Sequence, residues 1–130
     1  MGDRPDISMT PDEIVTFLAT QTRAVVAALD GAAPVGTVAA LRLDGDELEV
    51  TLRADDEVRA LLGVDERVCV IAEQFPTYFE IKAVCAHGRA RFVADAVGPA
   101  GATFRLGLDD ITSFDFAKLS GPRPGSGTQT

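Results

Sequence analysis

Three side chains in this sequence could share one ligand: Cys69, Cys85 and His87. A three-residue hairpin between Phe75 and Phe79 sets Cys69 directly opposite Cys85, with His87 two residues along on the same face. Three soft ligands at such a point are what a zinc or haem site uses. Two reduced, half-buried thiols in a sheet core account for the same residues more simply, and no metal is expected. The juxtaposition depends on register, because a one-residue slip turns the cysteines to opposite faces.

The charges are unevenly spread. Between residues 82 and 105, Lys82, Arg89, Arg91 and Arg105 stand against the single acid Asp95. A positive stripe of this kind can receive a small anion such as a phosphate. A solvated sheet face, ion-paired to neighbouring acids, explains the spacing better and is favoured. Residues 44 to 57 are the reverse, with Asp44, Asp46, Glu47, Glu49, Asp55, Asp56 and Glu57 against Arg53 alone. Asp55 and Asp56 fall at an expected helix start, where capping explains them without acid–base chemistry.

Other chemistry is excluded. The sequence has no Gly-rich phosphate loop ending in Lys and Ser or Thr, and no dinucleotide fingerprint opening a helix. It has no Gly-x-Ser-x-Gly elbow, and a catalytic triad would have to use His87, the only histidine. No catalytic residue is identified. With 12 Lys and Arg against 20 Asp and Glu, the net charge of −8 argues against nucleic acid and anionic membranes as partners. No apolar run approaches the roughly 18 residues that span a bilayer, and Met1 to Met9 show no secretory signal, so a cytoplasmic protein is expected.

The elements that must position these residues follow from pattern. At 130 residues and 46% hydrophobic content, one globular domain is expected over residues 10–119. Residues 1–9 read as a flexible N-terminus and 120–130 as a disordered tail. Thr10-Pro11-Asp12-Glu13 is a capping box with Pro at the first helical position, and Ile14, Phe17 and Leu18 give the helix its stripe to about Thr20. Ala24 to Leu29 is a strand closed by Asp30-Gly31, and Val35 to Leu43 and Glu47 to Leu52 flank a hairpin turn at Asp44-Gly45-Asp46. In the second of these Leu48, Val50 and Leu52 face inward.

A short helix follows, capped by Asp55 or Asp56, with Val58, Leu61 and Leu62 inward and Gly63 at its end. Arg67 to Phe75 and Tyr78 to about Ala94 are two further strands. The second has Phe79, Ile81, Ala83 and Cys85 inward before Gly88, and Ala90 and Phe92 inward after it, which predicts a bulge or bend at Gly88. Ala102 to Leu108 and Ile111 to Leu119 complete the chain. The fold class is mainly β, with six or seven strands and two short helices, and closure into a small barrel removes most sheet edges.

In their order these segments resemble the pyridoxamine 5′-phosphate oxidase-like, FMN-binding split-barrel family. The likeness rests on Thr10 to Leu18 as leading helix, and on Ala24 to Leu29 with Asp30-Gly31 and Pro34 as first strand and turn. It continues through Leu48 to Thr51 before the helix containing Arg59-Ala60-Leu61, then Arg67 to Val70, Tyr78 to Val84, and Gly88-Arg89-Ala90. The resemblance implies a homodimer with flavin at the subunit interface, Thr51 and Arg53 beside the cofactor phosphate, Arg59 on the following helix, and Lys82 as the basic residue of a later strand. It implies an oxidoreductase using FMN, or a deazaflavin coenzyme, on a small-molecule substrate. The family's usual Ser-x-Lys before the helix is here Asp55-Asp56-Glu57, and Ala83 replaces a family Gly. The alternative is therefore a split-barrel dimer that has lost flavin and serves as a structural or small-ligand-binding module.

Overall fold

The computed structural model describes residues 6–74, 82–95, 101–108, 110–115 and 118. Helix α1 (Pro11–Ala19) leads into strands β1 (Arg23–Asp30), β2 (Ala33–Asp44) and β3 (Glu47–Leu52). Helix α2 (Glu57–Leu62) precedes β4 (Arg67–Gln74), β5 (Lys82–Arg89), β6 (Arg91–Asp95), β7 (Ala102–Gly107) and β8 (Asp110–Asp115). The eight described strands form one antiparallel sheet in the order β6-β7-β3-β2-β1-β4-β5-β8. The run β3-β2-β1-β4 is a Greek key, since β4 returns to lie beside β1. The sheet curls, and β5 also packs against β7.

The local signals act as expected in the first half of the chain. The Thr10 hydroxyl accepts from the Glu13 N–H at 3.2 Å, and the Glu13 carboxylate accepts from the Thr10 N–H at 2.7 Å. Phe17 and Leu18 are buried from α1, and Val58 and Leu62 from α2. Between them lie the inward residues of the strands: Ala24, Val26 and Ala28; Leu48, Val50 and Leu52; Val68 and Val70; Phe104 and Leu106. Burying apolar area of this kind, at about 25 cal/mol per Å2, is what holds the layers together.

Ahead of α1, where a flexible N-terminus was expected, Ile7 to Met9 lie against β8. The Ile7 carbonyl accepts from the Asp115 N–H at 2.8 Å, and the Met9 N–H donates to the Ser113 hydroxyl at 3.0 Å. Lys118 Nζ donates to the Ser8 carbonyl and to Glu13, both across the same seam. Residues 1–5, the 120–130 tail and the expected strand positions Tyr78, Phe79 and Phe116 lie outside the described residues.

Several expectations for the later strands are corrected. The long strand breaks at Ala90 rather than bending at Gly88, so the described residues hold eight strands where six or seven were expected. Ala90 is buried, and its N–H donates to the Glu66 carbonyl at 2.8 Å, the last bond of the β4–β5 register before the chain turns into β6. Gly88 has a different role: a Cβ there would lie 2.6 Å from Leu106 Cδ1, so its bareness lets β5 cross close over β7. The inward face of β5 is also shifted. Val84 and Ala86 point into the core and Cys85 to the outer face, although Ala83 is buried as expected. In Ala83-Val84-Cys85-Ala86 every residue is small and apolar, so alternation carries no phase. Phe92, expected inside, is 52% exposed and meets the buried Phe104 edge-on at 5.6 Å.

Candidate functional site

Thr51, Arg53 and Arg59 share one strand–turn–helix, the β3–α2 segment. Thr51 lies on the outer face of β3 opposite Thr103 of β7, their hydroxyl oxygens 3.2 Å apart. Arg53 follows the strand and is 79% exposed, its Nε 3.3 Å from Oδ1 of Asp55, itself 76% exposed. An ion pair so open to water contributes little and exchanges readily for another anion.

Asp56 is committed to the fold. Its Oδ1 accepts from the Val58 N–H at 2.8 Å, capping α2, while Oδ2 accepts from the Thr37 hydroxyl at 2.9 Å. Of the two expected caps, Asp56 is the one used. The turn is braced from the far side by Gly101, at φ +103°. A Cβ on Gly101 would strike the Leu52 carbonyl and lie 2.5 Å from Ala54 N. Only glycine allows the chain there to press against the backbone that carries Arg53.

Lys82 lies elsewhere in the same chain. It opens β5, separated from β3 by β2, β1 and β4. Four strand spacings amount to about 19 Å along the sheet. Its Nζ is 4.0 Å from Asp115, and it lines a cleft between α1 and the β5–β8 edge with Gln21 and Gln74. The structure thus brings three of the four expected residues into one segment and leaves Lys82 apart.

The remaining cations of the expected stripe are engaged by acids. Arg105 reaches Glu47, Glu49 and Asp44, and Arg91 Nη2 lies 3.0 Å from Glu47. Hydrogen bonding to Glu49 above all raises the Arg105 guanidinium further, and the Arg91 bond above all lowers Glu47. Arg42 joins the same lattice through Glu49 at 3.0 Å. Arg89 lies 3.7 Å from Glu66. Much of the acidity between residues 44 and 49 therefore neutralises arginines of the neighbouring strands.

Cys69, Cys85 and His87 do meet, in a different register from the one expected. Cys69 stands opposite His87, and Cys85 opposite Ile71. The shift moves the partner by two residues and so keeps all three side chains on the outer face. Cys69 Sγ is 2.9 Å from Cys85 Sγ, which is 3.4 Å from His87 Nε2. Both cysteines are free thiols, half-buried, beside an exposed imidazole. Burial, then the Cys85 thiol, pushes the Cys69 thiol up to about 12. A cleft of about 440 Å3 adjoins the cluster, lined by Ala27, Leu29, Pro34, Cys69 and His87 with Arg67 and Arg89 at its rim.

Sequence reasoning missed Thr37, Gly101 and Thr103. Each acts through a strand pairing or a close approach that linear spacing does not display. Gly101 carried the only local signal, in Gly98-Pro99-Ala100-Gly101.

This architecture is that of known proteins. A conserved hypothetical protein of Mycobacterium tuberculosis, Rv2991, superposes with a TM-score of 0.76 at 20% identity, over 95% of this chain and 96% of that one. An FAD-binding protein of Mesorhizobium loti superposes at 0.70 and 12% identity, over 83% and 94%. A candidate pyridoxamine 5′-phosphate oxidase of Listeria innocua follows at 0.66 and 14%, over 78% and 95%. No protein-family model and no curated protein matches the sequence. The chain has the split-barrel fold of the pyridoxamine 5′-phosphate oxidase-like proteins. Among the described residues, no helix is long and apolar enough to cross a membrane.

Proposed function

We propose that this chain is a flavin-binding split-barrel protein, with FMN as its cofactor at the interface of a homodimer. The observation that carries the reading is the Arg53 guanidinium, exposed on the braced β3–α2 segment and paired with an equally exposed acid. Thr51 and Arg53 bind the cofactor phosphate, with Arg59 supporting them from α2. The names of two superposing proteins, an FAD-binding protein and a candidate pyridoxamine 5′-phosphate oxidase, support a flavin.

The dimer is supported by the outer face of the sheet. Val38 is 59% exposed there, opposite the half-buried Val25, which in turn pairs with Ile71. An apolar strip of this kind suits a second copy. Lys82, about 19 Å of sheet away from Thr51, contributes only where that second copy completes the site.

When bound, a flavin supplies hydride and single-electron transfer through its own ring system. The chain's part is to hold the phosphate, orient the ring and exclude water. The substrate is a small molecule, and an oxidoreductase is the activity in view. Titrating the protein with FMN, FAD and a deazaflavin while following flavin fluorescence tests the proposal. Micromolar binding of FMN supports it, whereas tighter binding of FAD or the deazaflavin replaces FMN by that coenzyme.

A second reading, a split-barrel dimer without flavin that serves as a structural or small-ligand module, is favoured by Asp55, Asp56 and Glu57 in the phosphate segment. Glu57→Lys separates the two. Flavin affinity that appears only in the variant supports the second reading; equal affinity in the unaltered chain removes it.

A further inference from the structure

The outer face of β4 and β5 holds a cluster that the flavin reading does not use. Strand alternation puts Cys85 and His87 on one face, and antiparallel pairing puts Cys69 directly opposite His87. The ligand atoms of all three lie within 4.8 Å of one another. Zn2+ holds sulfur at about 2.3 Å and nitrogen at about 2.0 Å, so side-chain rotations that part the two sulfurs and draw in the imidazole bring the cluster onto one ion. We propose that Cys69, Cys85 and His87 form a three-ligand site for Zn2+, with the fourth coordination position open towards the adjacent cleft.

The surroundings fit a cation of this class. Two sulfurs and one imidazole nitrogen are ligands for a thiophilic d10 ion, and they select against Mg2+ and Ca2+, which take oxygen. His87 stands opposite Asp110 on β8, the register at which a carboxylate can take the second imidazole N–H and fix the ring. Arg67 and Arg89 at the cleft rim are charge-compensated, by Asp65 at 2.7 Å and Glu66 at 3.7 Å. As each sulfur–zinc bond forms, the thiol proton passes to solvent, and the neutral imidazole ligates through Nε2 without losing a proton. A disulfide between the cysteines uses neither His87 nor the cleft, so the third ligand is what distinguishes a metal site from a redox pair.

The test uses the full chain, reduced and stripped of metal without oxygen, titrated first with Co2+ and then with Zn2+. The expected result is a sulfur-to-cobalt charge-transfer band with the visible bands of a tetrahedral ion, saturating at one Co2+ per chain and bleached by Zn2+. Cys69→Ser and Cys85→Ser, confirmed as folded by circular dichroism, each weaken the charge-transfer band. His87→Ala retains it and lowers affinity at least about tenfold. The proposal is overturned by a reduced chain that shows no charge-transfer band, or by a band that the serine variants leave unchanged. It is equally overturned if the cysteines remain a disulfide under reductant. No flavin enters the measurement, so this result is independent of the function proposed above.

Discussion

The Thr37 hydroxyl donates a 2.9 Å hydrogen bond to the same Asp56 carboxylate that caps α2 through the Val58 N–H. One carboxylate thereby ties β2 to the first turn of α2 and fixes the segment that carries Arg53 and Arg59.

Removing that carboxylate separates its structural role from its charge. Asp56→Ala loses the cap and the Thr37 bond and is expected to lower stability by about 1–2 kcal/mol in urea unfolding. Asp56→Asn still caps and loses less than half as much, while taking one negative charge from the phosphate segment. Its flavin affinity is expected to rise about two- to fivefold, the size of a surface charge effect. Equal destabilisation by both substitutions contradicts the capping role.

Gly101 should tolerate no side chain. Gly101→Ala meets both a positive φ and the backbone of residues 52–54, and is expected to cost about 1–3 kcal/mol. Because the displaced backbone carries Arg53, flavin affinity falls in the same variant. A variant as stable as the parent, by thermal unfolding, argues that the chain near Gly101 packs differently.

The fold was largely legible because its signals are local. The Thr10 capping box, the Asp44–Asp46 turn and the alternation of Leu48, Val50 and Leu52 each act within a few residues of themselves. The phase of β5 was not legible, because Ala83 to Ala86 are apolar on both faces and only pairing with β4 decides between them. The cysteine–histidine cluster was found for a reason that survives its wrong register: a shift of two residues preserves the face. The candidate phosphate segment was legible only through resemblance. Its brace at Gly101 and its tie to Thr37 are contacts between elements far apart in sequence.

The Asp65–Arg67 pair sets a pH dependence. Hydrogen bonds from the Arg67 side chain, then from its backbone N–H, lower the Asp65 carboxyl from an ordinary 3.8 to about 2. With the folded value depressed, the pair's stabilising effect is complete above about pH 4 and is lost as pH falls towards 2. Carboxyl NMR titration is expected to give a midpoint near 2, moving up towards 3.8 in Arg67→Gln. A parent midpoint already at 3.8 contradicts the pairing.

The Cys69 thiol, at about 12, is protonated at neutral pH. The thiolate is therefore scarce at pH 8, so disulfide-exchange reagents react slowly there. Stopped-flow labelling of Cys85→Ser, in which Cys69 is the only thiol and burial, the larger cause, remains, should be slower than labelling of a free cysteine. A rate equal to that of free cysteine contradicts the burial that holds the thiol neutral.

The central claim is that the β3–α2 segment holds a flavin phosphate. Its most direct test is fluorescence titration of FMN against the parent chain and Arg53→Ala at low ionic strength. Micromolar binding by the parent, weakened about tenfold or more in Arg53→Ala, is the result this account predicts. No binding by the parent, or binding that Arg53→Ala leaves unchanged, contradicts it.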